Sequence, residues 1–290
     1  MRFLPIATSL SIHTPFLRFR QGLFAKIAAV ISLAAILLYA LDDPLGMPNG
    51  GTWLGYFFGS VGLGLIFWLA WFGIRRRRYG GTGASLEAWL SAHVYLGLAA
   101  ILIACLHTGF RLHWNLHGIA FGLMVGVIAS GMVGVFAFWL YPPLMTRNRA
   151  GATFAALAAQ LAALDVQCRN LALTLDDPLV ELIFAATEEP AGKLTPGEIF
   201  LGRPGDPLSG ASGRAITALR NAMGGSQSHV LADIQPVIQA LTNRAVLLER
   251  MRRDKRFRLM MQAWRAVHVP LTIGLLIALT IHVFAVFYYR

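Results

Sequence analysis

The chain has 290 residues, of which 56% are hydrophobic and only 13% charged, about half the charged share of an ordinary soluble domain. That excludes intrinsic disorder and argues against a water-soluble globule. The formal net charge is +11, from 25 Lys and Arg against 14 Asp and Glu, and only 3 of the 25 are lysines. A basic chain can bind nucleic acid, but a basic and hydrophobic one fits the positive-inside bias of a membrane protein. The expected partner is the lipid bilayer, with no nucleic acid. Cys105 and Cys168 stand in unlike contexts with no CxxC pair, so there is no disulfide framework and no iron–sulfur or zinc signature.

A spanning helix needs about 20 mostly apolar residues. Five stretches meet this, at 22–41, 53–74, 88–110, 118–140 and 266–288. The first follows Arg18, Arg20 and Lys26 as a signal peptide would. Its apolar run is too long for such a signal, and Leu38-Tyr39-Ala40 is a poor cleavage site, so an uncleaved anchor is expected. Residues 1–21 before it, with Phe16, Leu17 and Phe19 among arginines, are expected to lie in the membrane interface.

Orientation follows from the arginines. With the N-terminus inside, Arg2, Arg18, Arg20, the Arg75–Arg78 run, Arg147, Arg149 and the Arg250–Arg265 cluster all face the cytoplasm. The outer side keeps Arg111, Arg290, Asp42 and Asp43. The expected placement is the cytoplasmic (inner) membrane, N-terminus inside and C-terminus outside.

Residues 141–262 form the one extended hydrophilic region. Tyr141-Pro142-Pro143 is expected to stop the fourth span at the membrane edge. Beyond it Phe154, Leu157, Leu161, Leu164, Cys168 and Leu171 recur at alternating steps of three and four, as do Ile234, Val237, Leu241, Ala245 and Leu248. A Gly- and Pro-rich stretch at 189–213, and Gly224-Gly225, separate the two stripes. They predict an antiparallel helical pair in a cytoplasmic insert, with the second helix continuing through Arg250–Arg265 into the fifth span at 263–290. The insert holds no Walker loop, GxGxxG or ligand cluster. It reads equally as a docking element for a partner or as a brace for the bundle.

The histidines carry the chemistry, because an ionisable residue inside a span is costly unless something compensates. His93 and His107 lie in the third span and His268 and His282 in the fifth, each pair separated by 14 residues. Fourteen steps fall about 40° short of four full turns, so each pair shares a helix face with its members about 21 Å apart along the axis. The third and fifth spans both run from inside to outside. His93 and His268 therefore share the inner depth, and His107 and His282 the outer. Two levels of paired imidazoles are what two six-coordinate haems need. Zinc fits poorly, because one level supplies two ligands with no Cys, Asp or Glu at hand.

The neighbouring spans fit a planar cofactor. The second carries Gly55, Gly59, Gly62 and Gly64, and the fourth Gly118, Gly122, Gly126, Gly131 and Gly134; such glycines admit a helix or a porphyrin. Phe121, Phe136, Phe138 and Trp139 add aromatic wall. Arg111 on the outer side and Arg265 on the inner are the candidates for haem propionates, since arginine suits carboxylates; both could equally be interface anchors. His113 and His117, four residues apart in the outer loop with Trp114 and Asn115, could meet a quinone or stand as solvated loop residues. Pro270 is expected to bend the ligand helix just after His268.

These features resemble the bis-histidine dihaem membrane cytochromes b, which include the cytochrome b of quinol–cytochrome c oxidoreductases and the transmembrane domain of ferric reductases and NADPH oxidases. The resemblance rests on His93 with His107, His268 with His282 and the glycine-bearing helices, and covers roughly residues 50–140 and 264–290. It implies an all-α integral membrane protein of five helices, four of them forming a dihaem bundle with the first packed outside. It also implies two haem b groups, a quinone as a further candidate, and electron transfer across the membrane to a redox partner subunit. The protein would then be a subunit of an oxidoreductase complex such as a quinol dehydrogenase. The chain departs from ferric reductases in showing no C-terminal flavin and nicotinamide domain, and the insert lies outside the pattern. A histidine-based proton or metal carrier and a haem-free structural membrane subunit are the rival readings.

Overall fold

A computed structural model describes residues 16–43, 48–75, 85–111, 114–190, 194, 196–201, 210–224 and 228–288. Every regular element among them is helical: α1 (Leu23–Leu41), α2 (Trp53–Arg75), α3 (Leu86–Thr108), α4 (Leu116–Arg149), α5 (Phe154–Ala172), α6 (Asp177–Thr187), α7 (Pro196–Leu201), α8 (Ala211–Met223) and α9 (Ser228–Tyr288). Five of these are long and apolar enough to cross a membrane: α1, α2, α3, α4 and α9. The chain divides into two compact units, Met1–Phe136 with Trp264–Arg290, and Ala137–Ala263. The unit boundaries fall inside α4 and inside α9.

In the first unit α1 packs on α3. Its buried residues are the small Ala28 and Ala35, which let the backbones approach where a larger side chain would hold them apart. A short 3-10 segment, Phe16–Gln21, precedes α1. It is held to α3 by the Tyr95 hydroxyl, which donates to the Leu17 carbonyl at 3.0 Å. Further along, Ala35 joins Leu54 and Phe58 of α2 and Ile103 and Leu106 of α3 in one cluster. A second cluster, of Ile66, Met124 and Leu275, brings α2, α4 and α9 together. Val30, Leu33, Trp71, Val133, Phe136, Ile277 and Phe284 remain exposed. A surface so apolar would be costly in water and is what a bilayer covers.

The ends of α3 and α4 are set by local chemistry. Ser85 caps α3 by accepting from the Ala88 amide at 3.2 Å, and Gly109 ends it in the left-handed region at φ 59°. A side chain at Gly109 would run into the carbonyl of Pro48, so that turn requires glycine. Asn115 opens α4 by accepting from the Gly118 amide at 3.0 Å.

Pro142 and Pro143 do not stop the helix: α4 runs on to Arg149 with both inside it. Each proline lacks the amide that would donate to the carbonyl four residues back, and further along the Thr146 hydroxyl donates to the Pro142 carbonyl at 3.1 Å. The helix ends instead where Ala150 (φ 49°) and Gly151 (φ 85°) turn left-handed.

The second unit is built on α5 and the first half of α9. Leu157 and Leu161 cluster with Leu247, Leu248 and Met251, while Cys168 and Ala172 cluster with Ile234, Val237 and Leu241. Early α5 thus meets late residues of α9 and the reverse, an antiparallel arrangement. The helical pair is not alone, however. Ile183 and Ala186 of α6, with Ala215, Ile216 and Leu219 of α8, fill the same core; these two helices flank the Gly- and Pro-rich stretch.

Arg244 is fully buried at the centre of this unit. Its Nε donates to Asp165 at 2.6 Å, Nη1 to the Ser212 hydroxyl at 3.0 Å, and Nη2 to the carbonyls of Thr187 and Glu189 at 3.1 and 3.2 Å. One guanidinium fork ties α5, α6, α8 and α9 together. Buried Asp254 receives Arg149 through Nε at 2.5 Å and Nη2 at 2.9 Å, with Arg258 at 3.0 Å. The Glu189 carboxylate accepts from Arg252 at 2.7 Å and from the Ala211 amide at 3.1 Å, at the start of α8. Several arginines expected to serve topology alone are therefore held inside this unit.

Candidate cofactor-binding site

The four histidines of α3 and α9 all belong to the first unit, and each is partly buried. At one level the ring centres of His107 and His282 are 6.2 Å apart, with planes at 81°. Two metal–imidazole bonds of about 2 Å, plus about 1 Å from each donor nitrogen to its ring centre, give about 6 Å. The observed separation is of that size.

The His107 ring is held by α2 and the turn before it. Its Nδ1 lies 2.7 Å from the Gly55 carbonyl oxygen. A carbonyl can only accept, so Nδ1 carries the hydrogen and Nε2 keeps its lone pair. Glycine is what admits the ring: a Cβ on Gly59 would stand 2.9 Å from His107 Cε1, and one on Gly50 3.1 Å from the same atom. His117, at the start of α4, brings a third imidazole to this level, its ring centre 4.4 Å from that of His282 with planes at 83°. That distance is too short for a metal between them. The other loop histidine, His113, lies outside the described residues.

At the other level His93 lies beside Phe72, ring centres 5.1 Å apart, and within electrostatic range of His268. His268 stacks on Trp264 at 5.4 Å with planes at 27°. The Trp264 indole Nε1 donates to the Ser130 carbonyl at 2.7 Å. The Ser130 hydroxyl lies 2.8 Å from His268 Nδ1 and donates to the Val127 carbonyl at 2.8 Å. On α4, a Cβ on Gly131 would meet His268 Cε1 at 3.5 Å, and one on Gly134 would run into the Trp264 ring.

The glycines expected to make room for a porphyrin thus divide. Gly59, Gly131 and Gly134 seat protein rings, and Gly55 lies against the backbone of residues 49 and 50. At Gly64, Gly122 and Gly126 an added Cβ would meet nothing within 4 Å. Ring seating by Ser130, Trp264 and Gly59 was missed from sequence. Trp264 had a signal, an aromatic one turn before a histidine on the same helix.

The two candidate propionate partners are both exposed, one beyond the end of α3 and one within α9. Arg111 is exposed four residues past His107, after the left-handed pair Gly109 and Phe110. Arg265 is exposed three residues before His268. Nδ1 of His93 and Nδ1 of His282 are buried with no hydrogen-bond partner among the described residues. At each level, then, one imidazole is tethered through Nδ1 and its counterpart is not.

The described residues form an all-helical chain with five helices able to span a membrane, and in its first unit histidines of α3, α4 and α9 come together. Among the described residues no group of three or more His, Cys, Asp or Glu is placed to hold a metal ion. Two axial nitrogens are what an iron already held by a macrocycle takes from a protein. No protein-family model matches the sequence, and no curated protein or solved structure is significantly similar to it.

Proposed function

We propose that the protein is a dihaem cytochrome b subunit, binding one haem between His107 and His282 and another between His93 and His268. The observation that carries this reading is the outer pair. Its ring centres are 6.2 Å apart, and the Gly55 carbonyl fixes the tautomer that leaves His107 Nε2 as a donor. The haems would supply one-electron redox chemistry; the protein supplies the ligands, their spacing and a low-dielectric surrounding. Gly64, Gly122 and Gly126, whose faces are open, would border the macrocycles, and Arg111 and Arg265 would reach the propionates.

The arginine distribution supports an inner-membrane placement with the N-terminus and residues 141–262 on the cytoplasmic side. Electrons would pass between the two depths, linking a quinone pool on one side to a redox partner protein on the other. The second unit offers that partner a folded surface.

The deciding experiment is a pyridine haemochrome assay on purified protein made with ample haem supply, read with reduced-minus-oxidised spectra and a protein quantitation. Close to two b haems per chain is the expected result. One would mean that a level has been misassigned, and none would overturn the proposal in favour of a proton or metal carrier.

A further inference from the structure

We infer that Ser130 is a positioning residue for the inner haem site, fixing which nitrogen of His268 can bind iron. The inference rests on the dihaem reading above and goes beyond it by naming a residue that is not a ligand. The Val127 carbonyl can only accept, and the Ser130 hydroxyl has a single hydrogen. Two contacts of 2.8 Å around that hydroxyl are both satisfied only when its hydrogen points to Val127 and its oxygen accepts from His268 Nδ1–H. That arrangement leaves the Nε2 lone pair as the donor to a metal. It also makes the ring more basic, as outer hydrogen bonds to ligating histidines do.

The rest of the environment makes the hydroxyl the specific element. Trp264 stacks on the His268 ring, and it bonds the Ser130 backbone carbonyl, not the side chain. Ser130→Ala therefore keeps the indole contact and substitutes a better helix former, so the helix and the stack are retained while the hydroxyl 2.8 Å from Nδ1 is removed. The counterpart His93 has no Nδ1 partner among the described residues; at His268 the Val127 carbonyl also lies within reach of the ring, and Ser130 supplies the side-chain contact at 2.8 Å. At the outer level the same task falls to a backbone carbonyl, which no side-chain substitution removes.

The test uses the full-length protein with Ser130→Ala and Ser130→Thr, each read by haem stoichiometry, redox titration and electron paramagnetic resonance of the ferric haems. In Ser130→Ala, binding at the level shared with His268 weakens by about 10- to 100-fold. The potential of that haem rises, because a less basic ligand stabilises ferric iron less, while the other haem keeps its potential and its signal. Ser130→Thr, which retains the hydroxyl, restores both. An unchanged potential and signal in Ser130→Ala would overturn the inference, as would a threonine variant no better than alanine. Wild-type protein without haem would overturn the dihaem reading itself, a result separable from either.

Discussion

The imidazole of His107 fills the space that a side chain at Gly59 would need, with Cε1 2.9 Å and Nδ1 3.0 Å from where a Cβ would stand. A methyl group there must push the ring off the Gly55 carbonyl. Alanine is otherwise worth up to about 1 kcal/mol over glycine inside a helix. Gly59→Ala should therefore leave α2 intact while lowering occupancy of one haem, the one lost in His107→Ala. Spectra of the purified variant check this; a full complement of both haems would show that the cradle does not matter.

Pairing by depth makes a prediction that adjacency in sequence does not. His93→Ala and His268→Ala should remove the same haem, although 175 residues separate them. His107→Ala and His282→Ala should remove the other. Redox titration of the four variants decides it, and loss of different haems within a pair would break the assignment.

Arg244 offers a test of the second unit. Arg244→Met would leave Asp165, Ser212 and the Thr187 and Glu189 carbonyls without their common donor. Removing one member of such a buried network costs about 3–5 kcal/mol. The expected result is faster proteolysis within 137–263 and a lower unfolding midpoint, with the haem spectrum retained. Arg244→Lys keeps the charge but not the fork and should recover only part of the loss.

The thiol of Cys168 is fully buried in the same core. Burial pushes it up from 9.0 to about 11, with the Arg244 charge opposing and the Asp165 charge adding. Below about pH 9 folded and unfolded chains both hold the proton, and the stabilising contribution is complete. Between 9 and 11 the folded chain alone keeps it, so stability falls as pH rises through that window. In a Cys105→Ser background, Cys168 should resist a thiol reagent at pH 8 until denaturant is added. Equal labelling of folded and unfolded protein would contradict it.

Much of the membrane unit was legible in advance because length and apolarity alone decide what can span a bilayer. The starts of α1, α2, α3 and α4 fall close to their expected places, and α9 runs unbroken from the hydrophilic stretch into the fifth span, the continuation that its sequence predicts. The end of α4 differs from the expectation: prolines near a helix end usually terminate it, yet the helix runs past both to the left-handed Ala150 and Gly151. α6 and α8 are only 11 and 13 residues long, too short for their apolar faces to stand out beside the longer stripes of α5 and α9. At the candidate site the histidine spacing was readable, but the tethers were not. Whether Ser130 or Gly55 meets an imidazole depends on how separate helices pack, and no local pattern encodes that. The arginines of α9 showed the same limit: Arg252 and Arg258 read as topology charges and prove to be ion-paired to Glu189 and Asp254.

The first unit is discontinuous in sequence, with residues 1–136 completed by 264–290. Between them the ribosome must make roughly 130 residues, which takes about 6–25 s at about 5–20 residues per second. Throughout that interval α3 stands in the nascent chain with His93 and His107 already made and both partners on α9 still unmade. Assembly of the paired levels is thus timed by synthesis of the second unit, and a chain released before His268 carries half of each pair and cannot close either one.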